Sequence, residues 1–553
     1  MDPFLYYDAL DESKLDVPFL RKEVLKVNDQ NNGNYSGKII IDTTTLVNKQ
    51  MWMSPKEAYL KIPFVISMVS NVDLTTIGNS FMAGLKSGHH QIIDSLTVKY
   101  GQHLVVESRN HLNQFINYNV LTSWSSKDLD KWGDSIGLNP DSPFVKYDAA
   151  GLVVDDYYNN RAVDPDRTVK DWLSEPVRQN DGFYERLKNV RPATGLGGMT
   201  YADPSIVGSS YYSTSGAGVD RVYYWVIQAT IRLKDLHSFF QEMSLYRGNN
   251  LRIEITYNKG SLNLAGLKDT GAGPPNYNAE LGSIASPIIN SGNTVPIMVS
   301  SCESSANASN PFYLPNALTG DPNISVYYNA VKTSQISPET GLGSAVLYLP
   351  AYDLDPEYQS ALLQTPEKVI KYKDIYQYTI SATGIGASVD QILTDGLKNM
   401  KYLVIIPNVS STEATLDTFT PNLRQSPFVS EGSTTATLAT IERFNVRING
   451  KNVFQQDLDY NFEHFVDEFT KINCPKSNID GISTGLINQK QWELSYKYYV
   501  VDLSRQTDDV TPMSLSVKLT NTSGRDMDYL CYVVLEKKIT LDLNNGRVLD
   551  IAL

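Results

Sequence analysis

Few residues of this chain are spaced for chemistry. His89-His90 puts two imidazoles side by side. Adjacent residues on a strand or loop point apart, and no cysteine or further histidine clusters nearby in sequence, so the pair reads as polar side chains rather than metal ligands. His103, His111, His237 and His464 are scattered and read as half-buried polar residues. Asp155-Asp156 and Asp164-Pro165-Asp166 have the residue types of a glycosidase carboxylate pair or a calcium loop, but they read as a solvated acidic loop. Gly481–Gly485, GISTG, matches the nucleophile-elbow spacing around Ser483. The elbow needs an apolar strand before it and a histidine after it. Here CPKSNID precedes, and the last histidine is His464. Gly195–Gly198 (GLGG) and Gly384-Ile385-Gly386 lack the GK[ST] ending of a phosphate loop and read as turns. Lys368–Lys373, KVIKYK, reads as a solvated strand face. No catalytic, cofactor or metal residue is assigned, and the chain is expected not to be an enzyme.

The elements that would hold any site are β-strands, and they repeat. Thr440–Val453, TIERFNVRINGKNV, echoes Ile92–Leu104, IIDSLTVKYGQHL. Setting Ile93 on Ile441 places Leu96 on Phe444, Val98 on Val446 and, after one gap, Gly101 on Gly450. Phe444, Val446 and Ile448 alternate with Asn445 and Arg447, the period of a strand with one buried face. Asn449-Gly450 then predicts a tight hairpin turn with two positive φ angles. A second echo follows in the same order: Asn250–Asn258, NLRIEITYN, and Ser514–Asn521, SLSVKLTN. A helix is expected over Asn110–Tyr118, matched later by Phe462, Phe465 and Val466. These pairs describe one all-β unit used twice.

The halves differ in their loops. Leu96 and Leu251 are 155 positions apart but Phe444 and Leu515 only 71, so the first half carries about 84 additional residues. They fall within 123–218, rich in Trp, Tyr, Asp, Gly and Pro. Ordered excursions of this length usually carry contacts. The expected division is an N-terminal arm over 1–35, a first domain over 36–257 with its insertion at 123–218, a Gly/Ser/Asn-rich linker or excursion over 258–340, and a second domain over 341–553. Further expectations are Asp235 as a helix N-cap, a helix over Val389–Leu397, and strands opening the second domain at Ala345–Tyr352 and later at Trp492–Leu503.

Composition sets outer limits. The chain has 553 residues with 48 Lys and Arg against 61 Asp and Glu, a net charge of −13. That opposes a nucleic-acid coat, which needs clustered cations, and no sequence-specific nucleic-acid binding is expected. Cys302, Cys474 and Cys531 lie far apart and form no disulfide framework, which fits a reducing compartment. Met1-Asp2 opens no signal peptide, so the chain is expected not to be secreted, and no apolar run approaches the ~20 residues of a membrane helix.

Two tandem sandwiches with large loops resemble the double jelly-roll major capsid proteins of virophages and polinton-like viruses, in the adenovirus-hexon-like lineage. The resemblance is carried by IRLKDLHSFFQEMSLYRGNNLRIEITY at 231–257 and LYLPAYDLDPEYQSALLQTPEKVIKYKDI at 347–375. It implies a mainly β chain of two eight-stranded antiparallel jelly rolls with long loop insertions and a few short helices. It also implies a homotrimer with a pseudo-hexagonal outline, a capsomer that tiles an icosahedral shell beside neighbouring capsomers, a pentameric vertex protein and minor cement proteins. The place would be the virion, after synthesis in a host cytoplasm. Aromatic-rich loops are the expected glue, which points to Trp124, Trp132, Tyr157, Tyr158 and Trp172 as intratrimer contacts, with a local mini-core under the loop as the competing reading. The alternative function is a carbohydrate-binding or carbohydrate-active β-sandwich protein, with the Trp- and Asp-rich excursion as a sugar platform.

Overall fold

The structure, a computed structural model, describes residues 18–70, 81–141, 182, 186, 211–213, 221–266, 281–301, 323–332, 343–410, 439–473, 484–504 and 511–552. Tyr157, Tyr158, Trp172, the acidic pairs at 155–156 and 164–166, the GLGG run, Ser483, Cys302 and Cys474 lie outside the described residues.

Sixteen strands build two sandwiches. The first half uses β1 (Phe19–Asn28), β2 (Lys38–Asp42), β3 (Tyr59–Ser70), β4 (Ile93–Tyr100), β5 (His103–Val106), β6 (Arg221–Arg232), β7 (Leu251–Tyr257) and β8 (Val346–Leu354). The second uses β9 (Glu367–Thr383), β10 (Ser388–Leu397), β11 (Met400–Val409), β12 (Ile441–Ile448), β13 (Lys451–Asn452), β14 (Tyr499–Asp502), β15 (Met513–Asn521) and β16 (Met527–Asp542). Neighbours in the first half run β1-β8-β3-β6 in one sheet and β2-β7-β4-β5 in the other. In the second half they run β9-β16-β11-β14 and β10-β15-β12-β13. Adding eight to each label of the first half reproduces the second. Among the described residues seven short helices accompany the strands: α1 (Leu112–Ser123), α2 (Ser126–Trp132), α3 (Leu233–Leu236), α4 (Ser238–Glu242), α5 (Pro356–Leu363), α6 (Phe462–Asn473) and α7 (Gln489–Leu494).

The duplication extends to register. Val98 pairs with Ile253 and Tyr100 with Leu251. At the equivalent places Val446 pairs with Val517 and Ile448 with Leu515. A slip of one residue would turn each apolar set to water, so burial of the inner faces holds both registers. Leu251, Ile253, Ile255, Leu515, Val517 and Leu519 are all fully buried. Asn449 and Gly450 adopt φ of 49° and 77°, as the hairpin requires, and Gly101 turns the first copy with φ of 60°. Helices α1 and α6 follow β5 and β13, again in matching positions.

Some local expectations give way to long-range pairing. Residues 346–354, expected to open the second domain, lie in the first sheet between β1 and β3. Part of the expected arm is strand β1, paired along its length with β8. The stretch after β7 is an excursion of the first sheet: Lys259–Gly266, Leu281–Ser291 and Asn323–Ala330 extend it from the Phe64–Ser70 end of β3. Residues 389–397 have apolar spacing that suits a helix, yet they form edge strand β10, because pairing with β15 satisfies their backbone groups. Ile392 is left 67% exposed as a result. Trp492 sits in α7, started by a capping box between Asn488 and Gln491, and the strand begins only at Tyr499. Asn445, expected on the wet face, is buried beside a register shift, and its amide donates to Phe454 O at 3.1 Å and Asp457 Oδ1 at 2.9 Å.

Candidate functional site

Among the described residues the distinctive feature is the seam where the halves meet. One apolar cluster runs through both halves. Nearly all of α1 is buried, and its aromatic residues reach across. Phe115 packs on Tyr532 at 5.3 Å, and Tyr118 meets Tyr498 edge-on at 5.2 Å. Backbone groups are satisfied from the other half: Tyr372 OH donates to Val105 O at 2.8 Å, Tyr532 OH to His111 O at 2.8 Å, and Leu486 N–H to Leu121 O at 2.8 Å. Gly485 comes so close to α1 that an added Cβ would lie 2.5–2.6 Å from the carbonyl oxygens of Thr122 and Leu121.

A buried ionic group sits in this seam. Asp374 on β9 lies 2.5 Å from Lys537 Nζ on β16 and 3.2 Å from His237 Nε2 in the first half. His237 caps α4, its Nδ1 accepting the Phe239 N–H at 3.1 Å. That bond leaves Nε2 as the protonated nitrogen, which donates to Asp374. Burial acts to raise the Asp374 carboxyl, but His237 and Lys537 outweigh it and hold the group down to about 2. The expected cap, Asp235, instead lies inside α3 and grips Arg232 with both oxygens, at 2.6 and 3.0 Å. A second buried ion pair, Asp141–Arg186 at 3.0 Å, contacts the Tyr496 hydroxyl of the second half.

The sequence carried a signal for Asp374 and Lys537 that its motifs did not. Ile370, Tyr372 and Asp374 share one phase of β9, and Leu535, Lys537 and Ile539 share one phase of β16. A carboxylate and an ammonium on buried phases of two strands are a pair waiting for register.

Trp124 and Trp132 come together around one cation. Arg232 lies 4.8 Å from the Trp124 ring centre and 5.7 Å from that of Trp132. They line a cavity of about 440 Å³ that also takes in Lys373, Tyr402 and Phe469 of the second half. Trp124 is 6% exposed and packs in the chain's own core, while Trp132 is 39% exposed.

The histidine pair is held by polar contacts within the chain. His89 Nδ1 accepts the Thr230 N–H at 3.0 Å, and His90 Nε2 meets Asn117 Oδ1 at 3.0 Å. Burial pushes both imidazoles down to about 4, so they are neutral. Among the described residues no three His, Cys, Asp or Glu are grouped to hold a metal ion. Gly384–Gly386 is the turn from β9 to β10, with Gly386 at φ of 71°. Cys531 is buried. No helix among the described residues is long and apolar enough to cross a membrane.

In each half the order first-eighth-third-sixth faces second-seventh-fourth-fifth, which is the strand order of a jelly roll. The chain is a double jelly roll. No protein-family model and no curated protein matches the sequence. Among solved structures it is similar to the mavirus major capsid protein, with 9% identity over 99% of this chain and 94% of that one, at a TM-score of 0.41. It is similar to the Faustovirus major capsid protein, with 10% identity over 96% and 92% and a TM-score of 0.41. It is also similar to PBCV-1 VP54, fitted into a reconstruction of the virophage Sputnik, with 10% identity over 97% and 98% and a TM-score of 0.37. At such identity and TM-score these likenesses assign no role to this chain.

Proposed function

We propose that the chain is a major capsid protein. Three copies form a capsomer with a pseudo-hexagonal outline, and capsomers tile an icosahedral shell. The observation that carries this reading is the repeated strand order across a buried seam. Each chain is a rigid pair of like-shaped rolls, so three chains around a threefold axis present six similar uprights. Edge strands support it. Leu20 and Val24 on β1, Val369 on β9 and Ile392 on β10 are 67%, 48%, 53% and 67% exposed. Apolar edges are a liability in a lone molecule and are relieved when another subunit covers them. Trp132 is a candidate contact of the same kind.

On this reading the chain works by binding itself rather than by transforming a ligand. Its place is the virion shell after synthesis in a host cell, with a pentameric vertex protein and minor cement proteins as further partners. Negative-stain microscopy with light scattering on the purified protein tests the proposal. Hexagonal particles of about 185 kDa, three times 61.7 kDa, support it. A monomer that binds or cleaves glycans refutes it in favour of the carbohydrate reading.

A further inference from the structure

A basic and aromatic row crosses the outer face of the first sheet. Registered positions run Lys26 on β1, Tyr348 on β8, Tyr59 on β3 and Arg232 on β6. The Tyr59 and Tyr348 rings stack at 4.8 Å, 6° from parallel. Lys26 Nζ and Lys61 Nζ approach the Tyr348 ring at 5.5 and 5.4 Å. Two rows away on the same face, Lys22 lies 5.0 Å over the Tyr352 ring and 2.9 Å from Glu57. Val24, between Lys22 and Lys26 on the same face, is 48% exposed. At the β6 end burial, with Arg232 and Lys56 nearby, works against the charge of Lys234, which Asp235 and Asp128 favour.

This row is short of negative charge. Arg232 is matched by Asp235 and Lys22 by Glu57. Among the described residues Lys26 and Lys61 face the Tyr348 ring and reach no carboxylate within 4 Å. In a chain of net charge −13 such a face is unusual.

The counter-charge lies immediately upstream. Residues 1–17, MDPFLYYDALDESKLDV, carry Asp2, Asp8, Asp11, Glu12 and Asp16 against Lys14 alone, interleaved with Phe4, Leu5, Tyr6, Tyr7, Leu10 and Leu15. They join β1 at the Lys22 end of the face, where Pro18 O accepts the Asp355 N–H at 3.3 Å and Phe19 pairs with Leu354. From β1 to β6 is three strand spacings, about 15 Å. Seventeen extended residues reach about 55 Å. Tethering makes the encounter intramolecular, which favours a chain's own segment over a neighbour's.

We propose that residues 1–17 fold back over the outer face of the first sheet of their own chain. Their carboxylates meet Lys22, Lys26, Lys61 and Lys234, and their apolar side chains cover Val24 and the Tyr59–Tyr348 stack. This inference does not depend on the capsid reading.

The test uses the full chain, as an equal mixture of ¹⁴N- and ¹⁵N-labelled protein, with zero-length carbodiimide cross-linking and amide hydrogen exchange. Cross-links from Asp8, Asp11, Glu12 or Asp16 to Lys26, Lys61 or Lys234 are expected within one isotopic chain. Exchange over residues 2–17 is expected to be roughly tenfold slower at low salt than at about 1 M, where the Debye length is about 3 Å. The double variant Lys26→Glu/Lys61→Glu should lose that protection. So should Asp8→Asn/Asp11→Asn/Glu12→Gln/Asp16→Asn, which leaves the sheet untouched. Cross-links only between isotopes would overturn the proposal in favour of a copy-to-copy contact. Exchange as fast as in a free peptide of residues 1–17 would also overturn it. So would an oligothymidylate probe that binds at Lys26 and Lys61 without changing the exchange of the segment.

Discussion

His237 Nε2 stands 3.2 Å from Asp374 Oδ1, joining the first roll to the second through a side chain that is 1% exposed. Lys537 completes the group from β16 at 2.5 Å. A carboxylate so enclosed is tolerable only because both partners are in place. The seam joins the cores of the two sandwiches into one cluster.

Acid should loosen the protein in a defined window. The folded Asp374 carboxyl titrates near 2, whereas an unfolded aspartate titrates near ~3.9. The folded state thus keeps the charge to lower pH. The resulting stabilisation, on the order of 2 kcal/mol, is complete above about pH 4 and is lost as pH falls through 2. Asp374→Asn should flatten this part of the pH–stability curve measured by urea unfolding. At pH 7 it should cost about 3–5 kcal/mol, because Lys537 is left buried without its counter-ion. An unchanged curve would remove Asp374 from the account of the seam.

The two tryptophans should part company. Trp124 is buried and Trp132 is 39% exposed. Trp124→Ala should destabilise the monomer by about 3–5 kcal/mol. Trp132→Ala should stay within about 1 kcal/mol by the same thermal melt, while weakening self-association in sedimentation runs. Equal losses of monomer stability would mean that both rings belong to one core.

Gly485 should resist any side chain. Its φ is 67°, and a Cβ would meet α1 carbonyl oxygens at 2.5–2.6 Å. Gly485→Ala combines left-handed strain with a backbone clash, about 1–3 kcal/mol or more. Hydrogen exchange should show the loss in α1 of the first half, although the substitution lies in the second.

Asn521 ties three backbone stretches together. Its Nδ2 donates to Thr383 O at 2.8 Å and Arg525 O at 2.8 Å, and its Oδ1 accepts the Ser523 N–H at 3.0 Å. Asn521→Ala should cost about 2–4 kcal/mol by leaving buried backbone groups unmet. Asn521→Asp should also destabilise, because a carboxylate offers no donor to the two carbonyls; a neutral result would show that water replaces the amide.

Much of this was legible residue by residue. Strand faces follow from alternation: Leu251, Ile253 and Ile255 announce a buried face wherever their strand pairs. Asn449-Gly450 announces its turn because few other residues accept two positive φ angles. The echo between the halves holds down to matching register, since like patterns must bury like faces. The aromatic candidates were only partly legible. Trp124 and Trp132 look alike in sequence and both meet Arg232, and only burial in the folded chain separates a core ring from a surface one.

The sequence by itself determined the class of element, the inward phase of each strand, the tight turn and the doubling. It left open which strand sits beside which. β1 and β8 pair although Phe19 and Leu354 lie more than 300 residues apart, and 389–397 became a strand against its helical spacing. Alternation specifies a face, not a neighbour. Partners are selected by total burial and by satisfaction of backbone and ionic groups across the whole chain, as where Asp374 found Lys537 and His237.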